Sequence, residues 1–228
     1  MKKRKVAFIY STASISSYLF ELGQKLMPSY EILNFVDESI LLAQNSVVRR
    51  EKVKNLIISA RSAGVSSILI TCSTIGDLAK NFSEIYRIPI FRIDSPMAQV
   101  AVESGQKIAV LFTNPKTLQS TSSLFNGILA RKKGNNVKIR YVFVDNAMKA
   151  LSQGNIKGHD KFVEKSIMHA AKWADVIALA QVTTAVALSR RKTVLKGKII
   201  LTSPISGIQQ IDALLYAPLQ SSSINVSF

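Results

Sequence analysis

Short apolar runs alternate along this chain with segments whose apolar residues recur every three or four positions. Residues 6–10, Val6-Ala7-Phe8-Ile9-Tyr10, form a continuous run of the length of a buried strand. Leu19, Leu22 and Leu26 follow on one helical face, and Ser16 ahead of them is the expected N-cap. Residues 32–36 are a second strand. Val53, Leu56, Ile57 and Ala60 then stripe a helix whose other side carries Arg49, Arg50, Lys52 and Lys54, and Gly64 is placed to end it. Residues 67–71 and 88–93 are two further strands. This order predicts an α/β fold, a largely parallel sheet with helices on its faces.

From residue 107 the scheme starts again. Lys107-Ile108-Ala109-Val110-Leu111-Phe112 echoes Lys5-Val6-Ala7-Phe8-Ile9-Tyr10. Asn114 and Pro115 are expected to open a helix with Leu118, Thr121, Phe125 and Ile128 along one side. Residues 137–144 are a strand, and Phe162, Val163, Ile167, Ala170 and Ala171 stripe the next helix. Val176-Ile177-Ala178-Leu179-Ala180 echoes Ile68-Leu69-Ile70-Thr71, and Ile199-Ile200-Leu201-Thr202-Ser203-Pro204 echoes Phe91-Arg92-Ile93-Asp94-Ser95-Pro96. Three matches in the same order, about a hundred residues apart, predict two related lobes. The expected division is 1–96 plus 205–228 for the first lobe and 97–204 for the second, related by a pseudo-two-fold axis. Ligands of parallel α/β sheets sit outside the carboxyl ends of the strands. The site is therefore expected in a cleft where the two sets of strand ends face each other.

Composition narrows the picture. Hydrophobic residues make up 47% and charged residues 19% of the 228, a globular balance. One cysteine excludes an internal disulfide and a cysteine-based metal cluster. The basic start, Met1-Lys2-Lys3-Arg4-Lys5, leads into an apolar run too short for a signal segment and without a cleavage-like site. Residues 176–188 are broken by Gln181, Thr183 and Thr184 and are too short to span a bilayer. The expectation is a cytoplasmic protein with no membrane partner. A net charge of +16 attracts polyanions. Yet Lys and Arg cluster only at Lys2-Lys3-Arg4-Lys5, Arg131-Lys132-Lys133 and Arg190-Arg191-Lys192, with no aromatics interleaved. That pattern reads as solvated helix ends and a tail rather than a nucleic-acid surface.

The strongest chemical signal is Thr71-Cys72-Ser73-Thr74-Ile75-Gly76. Cys72 falls where a parallel strand stops and a helix is expected to start, with Ser73 or Thr74 as its N-cap. Free backbone amides there favour a thiolate and would hold a substrate carboxylate beside it. The bland alternative is a buried, inert thiol. The equivalent turn of the second half is Ala180-Gln181-Val182-Thr183-Thr184, which keeps the hydroxyls but places Val182, which cannot move a proton, opposite Cys72. Thr183 and Thr184 are candidate anion-binding groups or simple helix caps. The turns after the first strand of each half supply Ser11 and Thr12, and Asn114 and Thr117, as candidate cleft walls. Tyr10 and His159 are candidate accessory acid/base groups; His159, beside Asp160 near a helix start, reads equally as a cap. His169 reads as structural. No metal-ligand spacing, Walker loop or GxGxxG is present, so no metal and no nucleotide cofactor is expected.

These residues resemble a known family. The repeated halves, Thr71-Cys72-Ser73-Thr74 and Ala180-Gln181-Val182-Thr183-Thr184, look like the aspartate/glutamate/hydantoin racemase superfamily. Asn34-Phe35-Val36-Asp37-Glu38-Ser39 and Arg92-Ile93-Asp94-Ser95-Pro96-Met97 are similar to segments of its uncharacterised members. The resemblance covers nearly the whole chain. It implies cofactor-independent proton transfer at the carbon next to a carboxylate or carbonyl of a small substrate. In the racemases one cysteine takes the α-proton and a second, on the opposite face, returns one. Position by position, Cys72 falls on the first-half cysteine and Val182 on the second. The resulting expectation is a racemase or isomerase with Cys72 as acid/base. The alternatives are a decarboxylase or lyase with Cys72 as sole proton donor, and a non-catalytic binder of anions or nucleic acid. A second copy of the chain is a candidate partner.

Overall fold

The structure, a computed structural model, describes residues 3–132, 136–191 and 195–216. The end of the expected first lobe, residues 217–228, lies outside the described residues, as do Lys2 of the basic start and Lys133 and Lys192 of the two basic clusters. Two four-stranded parallel sheets form. The first is built from β1 (Arg4–Tyr10), β2 (Tyr30–Val36), β3 (Ser67–Ile70) and β4 (Ile90–Arg92) in the order β2-β1-β3-β4. The second repeats it with β5 (Lys107–Phe112), β6 (Lys138–Phe143), β7 (Val176–Leu179) and β8 (Ile199–Thr202) in the order β6-β5-β7-β8.

The continuous apolar runs are explained by burial on both faces, as expected of central parallel strands. Side chains alternate across β1. Ala7 and Ile9 join Ile68 and Ile70 under α3 (Ser46–Ser62) and α4 (Leu78–Tyr86), which supply Val53, Ile57 and Phe82. Phe8 and Tyr10 face the other way, against Leu19 of α1 (Ser16–Leu26) and Ile208 and Ile211 of α10 (Pro204–Tyr216). The second sheet repeats this. Ile108 and Val110 pack on α5 (Ser95–Ser104) and α6 (Thr117–Arg131), while Ala109 and Leu111 pack on Val163 and Ile167 of α8 (Ile156–Ala170). Three further helices complete the described set: α2 (Ser39–Leu42), α7 (Ala147–Ser152) and α9 (Val182–Arg191). No helix among the described residues is long and apolar enough to cross a membrane.

Several local expectations are corrected. Ser16 does not cap α1: a 3-10 turn, Ala13–Ile15, precedes the helix, Thr12 caps that turn by accepting from Ser14 N, and the Ser16 hydroxyl donates to Ala13 O at 2.8 Å. Asn114 and Pro115 precede rather than open α6, which starts at Thr117; Asn114 Oδ1 accepts from Lys116 N at 3.0 Å instead. The fourth strand is only three residues long because Pro89, without an N–H, precedes it. Gly64 does end α3, with φ +76.

Candidate active site

Cys72 stands just beyond β3. Its backbone is extended, and it opens a single 3-10 turn, Ser73–Ile75, closed by Ile75 N donating to Cys72 O at 3.2 Å. This corrects the expected helix start: α4 begins only at Leu78, and neither Ser73 nor Thr74 caps a helix. The backbone polarity at the sulfur is therefore that of one short turn, not of a full helix end. Ser73 and Thr74 have other partners, and both reach across to the second half. Ser73 Oγ donates to Ala180 O, and Thr74 Oγ1 shares a hydrogen bond with Thr117 Oγ1 at 3.0 Å. Asp77 N donates to Ser120 Oγ at 3.2 Å. The Cys72 turn is thus tied to the residue that precedes Gln181 and Val182.

Its floor is an ion pair. Arg92 grips Asp94 through two bonds, Nε to Oδ1 at 2.7 Å and Nη2 to Oδ2 at 2.9 Å, with Asp94 fully buried. Burial pulls the Arg92 guanidinium toward deprotonation, but the Asp94 charge and hydrogen bonds outweigh it and hold it above its usual range. Gly76 lies against this pair: a Cβ there would come within 2.9 Å of the Arg92 guanidinium carbon. A small residue at the end of the turn lets the guanidinium pack beneath it.

In the second half the helix does start at once. Val182 is the first residue of α9, so Thr183 and Thr184 lie inside its first turn and neither is its N-cap. Thr184 Oγ1 donates back to Gln181 O at 2.6 Å. Gln181 Oε1 in turn accepts from Thr113 N at 2.5 Å and Thr113 Oγ1 at 2.9 Å, which fixes the turn after β5. Val182 is 4% exposed and packs with the β1 and α1 core of the first half.

Between these turns lies a cavity of about 60 Å³. Of the predicted residues, Cys72, Ser11, Thr12, Ser73, Thr74, Asn114, Gln181, Val182 and Thr183 line it. Thr117 and Thr184 do not. Both are fully buried, one hydroxyl spent on Thr74 and the other on the Gln181 carbonyl. Ile15, Leu41, Thr71 and Met148 line it without having been foreseen. Leu41 and Met148 come from the short helices α2 and α7. Lys116 Nζ donates to Leu41 O at 2.7 Å, bridging the two halves beside the cavity. No Asp, Glu, Lys, Arg or His lines it.

The accessory candidates stand apart from this cavity. The Tyr10 hydroxyl is buried on Asn34 Oδ1 at 3.0 Å, and burial pushes its pKa well above the ordinary tyrosine value. It is held as a structural hydrogen-bond donor. His159 is not a cap: Asn155 caps α8, accepting from Gly158 N at 2.8 Å. The His159 ring is wholly buried, with Nδ1 3.0 Å from Asp160 Oδ1. Arg190 clasps Asp160 through two bonds of 2.6 Å. Burial pushes the Asp160 carboxyl up, but these hydrogen bonds outweigh it and hold it below the usual carboxylate range. Such a group stabilises the fold above its unfolded pKa of about 3.9 and loses that contribution as pH falls through its lower folded value. Asp160→Asn should therefore lower stability near neutral pH by about 1 kcal/mol, a modest figure because solvent screens the 41% exposed Arg190. Urea midpoints measured against pH should show wild type and variant converging in acid. His169 is exposed, beside Arg140 and Trp173.

Comparison with known structures places this geometry. No protein-family model matches the sequence, and no curated protein matches it either. Solved structures do. Glutamate racemase from Thermus thermophilus superposes with a TM-score of 0.72 at 15% identity, over 97% of this chain and 84% of that one. Aspartate racemase from Picrophilus torridus gives 0.72 at 18% identity, over 94% of each chain. Allantoin racemase from Klebsiella pneumoniae gives 0.68 at 14% identity, over 95% of this chain and 89% of that one. The chain has the racemase fold. Two parallel four-stranded sheets flanked by helices are the architecture that the sequence resemblance implied. Within this racemase fold, the cavity brings together the turn after β3, which bears Cys72, and the turn after β7, which bears Val182.

Proposed function

We propose that this protein is a cofactor-independent isomerase. It moves the proton on a carbon next to a carboxylate or carbonyl of a small substrate, with Cys72 as the acid/base. The observation that carries the reading is the cavity itself. The chain's one thiol lines a small hydroxyl-rich enclosure at the carboxyl ends of β3 and β7, in a fold shared with glutamate, aspartate and allantoin racemases. Ser11, Thr12, Asn114 and Gln181 offer uncharged donors and acceptors for a carboxylate or carbonyl. Ile15, Leu41, Met148 and Val182 supply apolar walls that exclude water from a forming carbanion. An ammonium entering the cavity would meet no carboxylate, and burying an unpaired charge is costly. This favours uncharged cyclic ureides over zwitterionic amino acids.

Val182 favours a second reading. A residue that cannot carry a proton lines the cavity at the position that the sequence resemblance matches to the second cysteine of a two-base racemase. A decarboxylase needs only one donor: CO₂ departs with its bond electrons left on carbon, and the Cys72 thiol protonates that carbon. Incubating the protein in D₂O with single enantiomers of hydroxy acids, hydantoins and amino acids, and with substituted malonates, separates the two. Deuterium entering the α-position with loss of optical rotation is the expected result. Release of CO₂ without exchange would move the assignment to the lyase. Neither event with any of these compounds would overturn both.

A further inference from the structure

The three basic runs of the sequence carry no aromatics, but the fold brings basic and aromatic side chains together elsewhere. A wide cavity of about 590 Å³ opens between β6, the edge strand of the second sheet, and the end of α8. Arg140, His169, Lys172 and Trp173 line it. The Arg140 guanidinium carbon sits 4.1 Å over the centre of the Trp173 ring, so the half-buried indole holds an exposed cation at the cavity. Lys138 is exposed on the same face of β6, two residues before Arg140. Lys157, Lys161 and Lys165 are exposed on α8 at four-residue spacing, a row that leads toward His169 and Lys172. Residues 138–175 hold seven Lys and Arg and four acids. The acids are all engaged: Asp145 with Asn146, Asp160 with Arg190, Glu164 with Arg191, and Asp175 with Lys107 N. None of the seven basic residues forms an ion pair among the described residues. The end of α8 adds a partial negative charge of about −0.5, too small to cancel Arg140 and Lys172.

We propose that this face binds single-stranded nucleic acid. Its phosphates lie along the lysine row of α8 and reach Lys172, and a base stacks on the Arg140 guanidinium at the cavity. Charge complementarity carries the choice of partner. The chain is at +16, and the patch concentrates positive charge where no acid is available to neutralise it. Basic residues on an edge strand also discourage strand pairing, which accounts for Lys138 and Arg140 but not for the lysine row or the stack on Trp173. A second copy is a poor occupant, because pairing through β6 would set Lys138 and Arg140 of one copy against those of the other. The inference stands apart from the isomerase reading. Lys172 and Trp173 precede β7, whereas Val182 and the Cys72 cavity lie beyond its carboxyl end.

Trp173 is the chain's single tryptophan, so its fluorescence reports on this site alone. Titration with oligothymidylate should change the emission saturably, with an affinity that falls as salt rises. Arg140→Ala combined with Lys172→Ala should weaken binding about tenfold and flatten the salt dependence by about 0.7 in slope for each phosphate contact removed. Both side chains are exposed, so the variant should keep its circular dichroism. The control is Lys25→Ala combined with Lys80→Ala, which removes the same charge from exposed positions of the first half and should leave the affinity nearly unchanged. Equal weakening in the two double variants would mean attraction by net charge and would overturn the site. Oligothymidylate that binds, by anisotropy of a labelled strand, without changing the Trp173 emission would overturn it too. So would thymidine monophosphate, duplex DNA or phosphatidylserine vesicles binding as tightly as the single strand.

Discussion

Cys72→Ser is expected to lower α-proton exchange of the enantiomer whose proton faces Cys72 by about 10²–10⁴-fold, the usual contribution of a positioned acid or base. A serine hydroxyl fills nearly the same space but does not ionise near neutral pH, so the variant loses the base and keeps the cavity. The fold should survive because the residues around the turn are held by their own bonds. Ser73 is fixed on Ala180 O, Thr74 on Thr117 and Asp77 N on Ser120, and none of these bonds uses the sulfur. Cys72 itself packs only partly buried against the first core. Exchange rates measured with unchanged circular dichroism and an unchanged melting temperature would separate lost chemistry from lost structure. Exchange that continues at the wild-type rate would assign the base elsewhere.

Gly207→Ala is expected to have the largest effect on stability. A Cβ at this position would fall on the backbone carbonyl of Ile93, beside the Ile93 side chain. Neither side can retreat easily. Gly207 N bonds Ser203 O at 2.9 Å in the first turn of α10, and Ile93 N bonds Ile70 O at 3.1 Å at the end of the sheet. Ile208 and Ile211 of the same helix close the core over Phe8 and Leu69. Forcing a methyl group into this contact should cost about 1–3 kcal/mol, a fall in melting temperature of roughly 2–12 °C for a chain of this size. Gly127→Ala is the control. It lies exposed in α6 with nothing within 4 Å of an added Cβ, and should stabilise by about 0.5–1 kcal/mol through helix propensity. Urea unfolding of both variants measures the contrast. A Gly207→Ala protein as stable as wild type would mean that α10 docks less tightly than its contact with Ile93 implies.

The strands were legible because central parallel strands are buried on both faces and so read as unbroken apolar runs. The doubling of the fold was legible because those runs recur in order. Cys72 and the neighbouring hydroxyls could be placed in one cavity from a single rule, that ligands gather at strand carboxyl ends. Leu41 and Met148 were hidden for the opposite reason. Helices of four and six residues are too short to show a helical period, so nothing marked α2 and α7 as cavity walls. The direction of a short polar side chain was equally hidden. Thr117 and Thr183 are both hydroxyls near a helix start, yet the first is spent on Thr74 and the second has no partner among the described residues. Which of them faces a ligand depends on contacts across the two halves, and no local pattern encodes these. The histidine and aspartate of α8 were visible as neighbours in sequence, but their clasp by Arg190 joins residues thirty positions apart.

The most direct test of the account is the alkylation of Cys72 by iodoacetamide, followed by mass spectrometry in the native and the urea-unfolded protein. A cysteine that lines a ligand cavity should react in the native protein at neutral pH and be protected by a carboxylate or ureide that occupies the cavity. A thiol that stays inert in the native protein even at alkaline pH, and is modified only after unfolding, would be a packing residue and would contradict the site proposed for it.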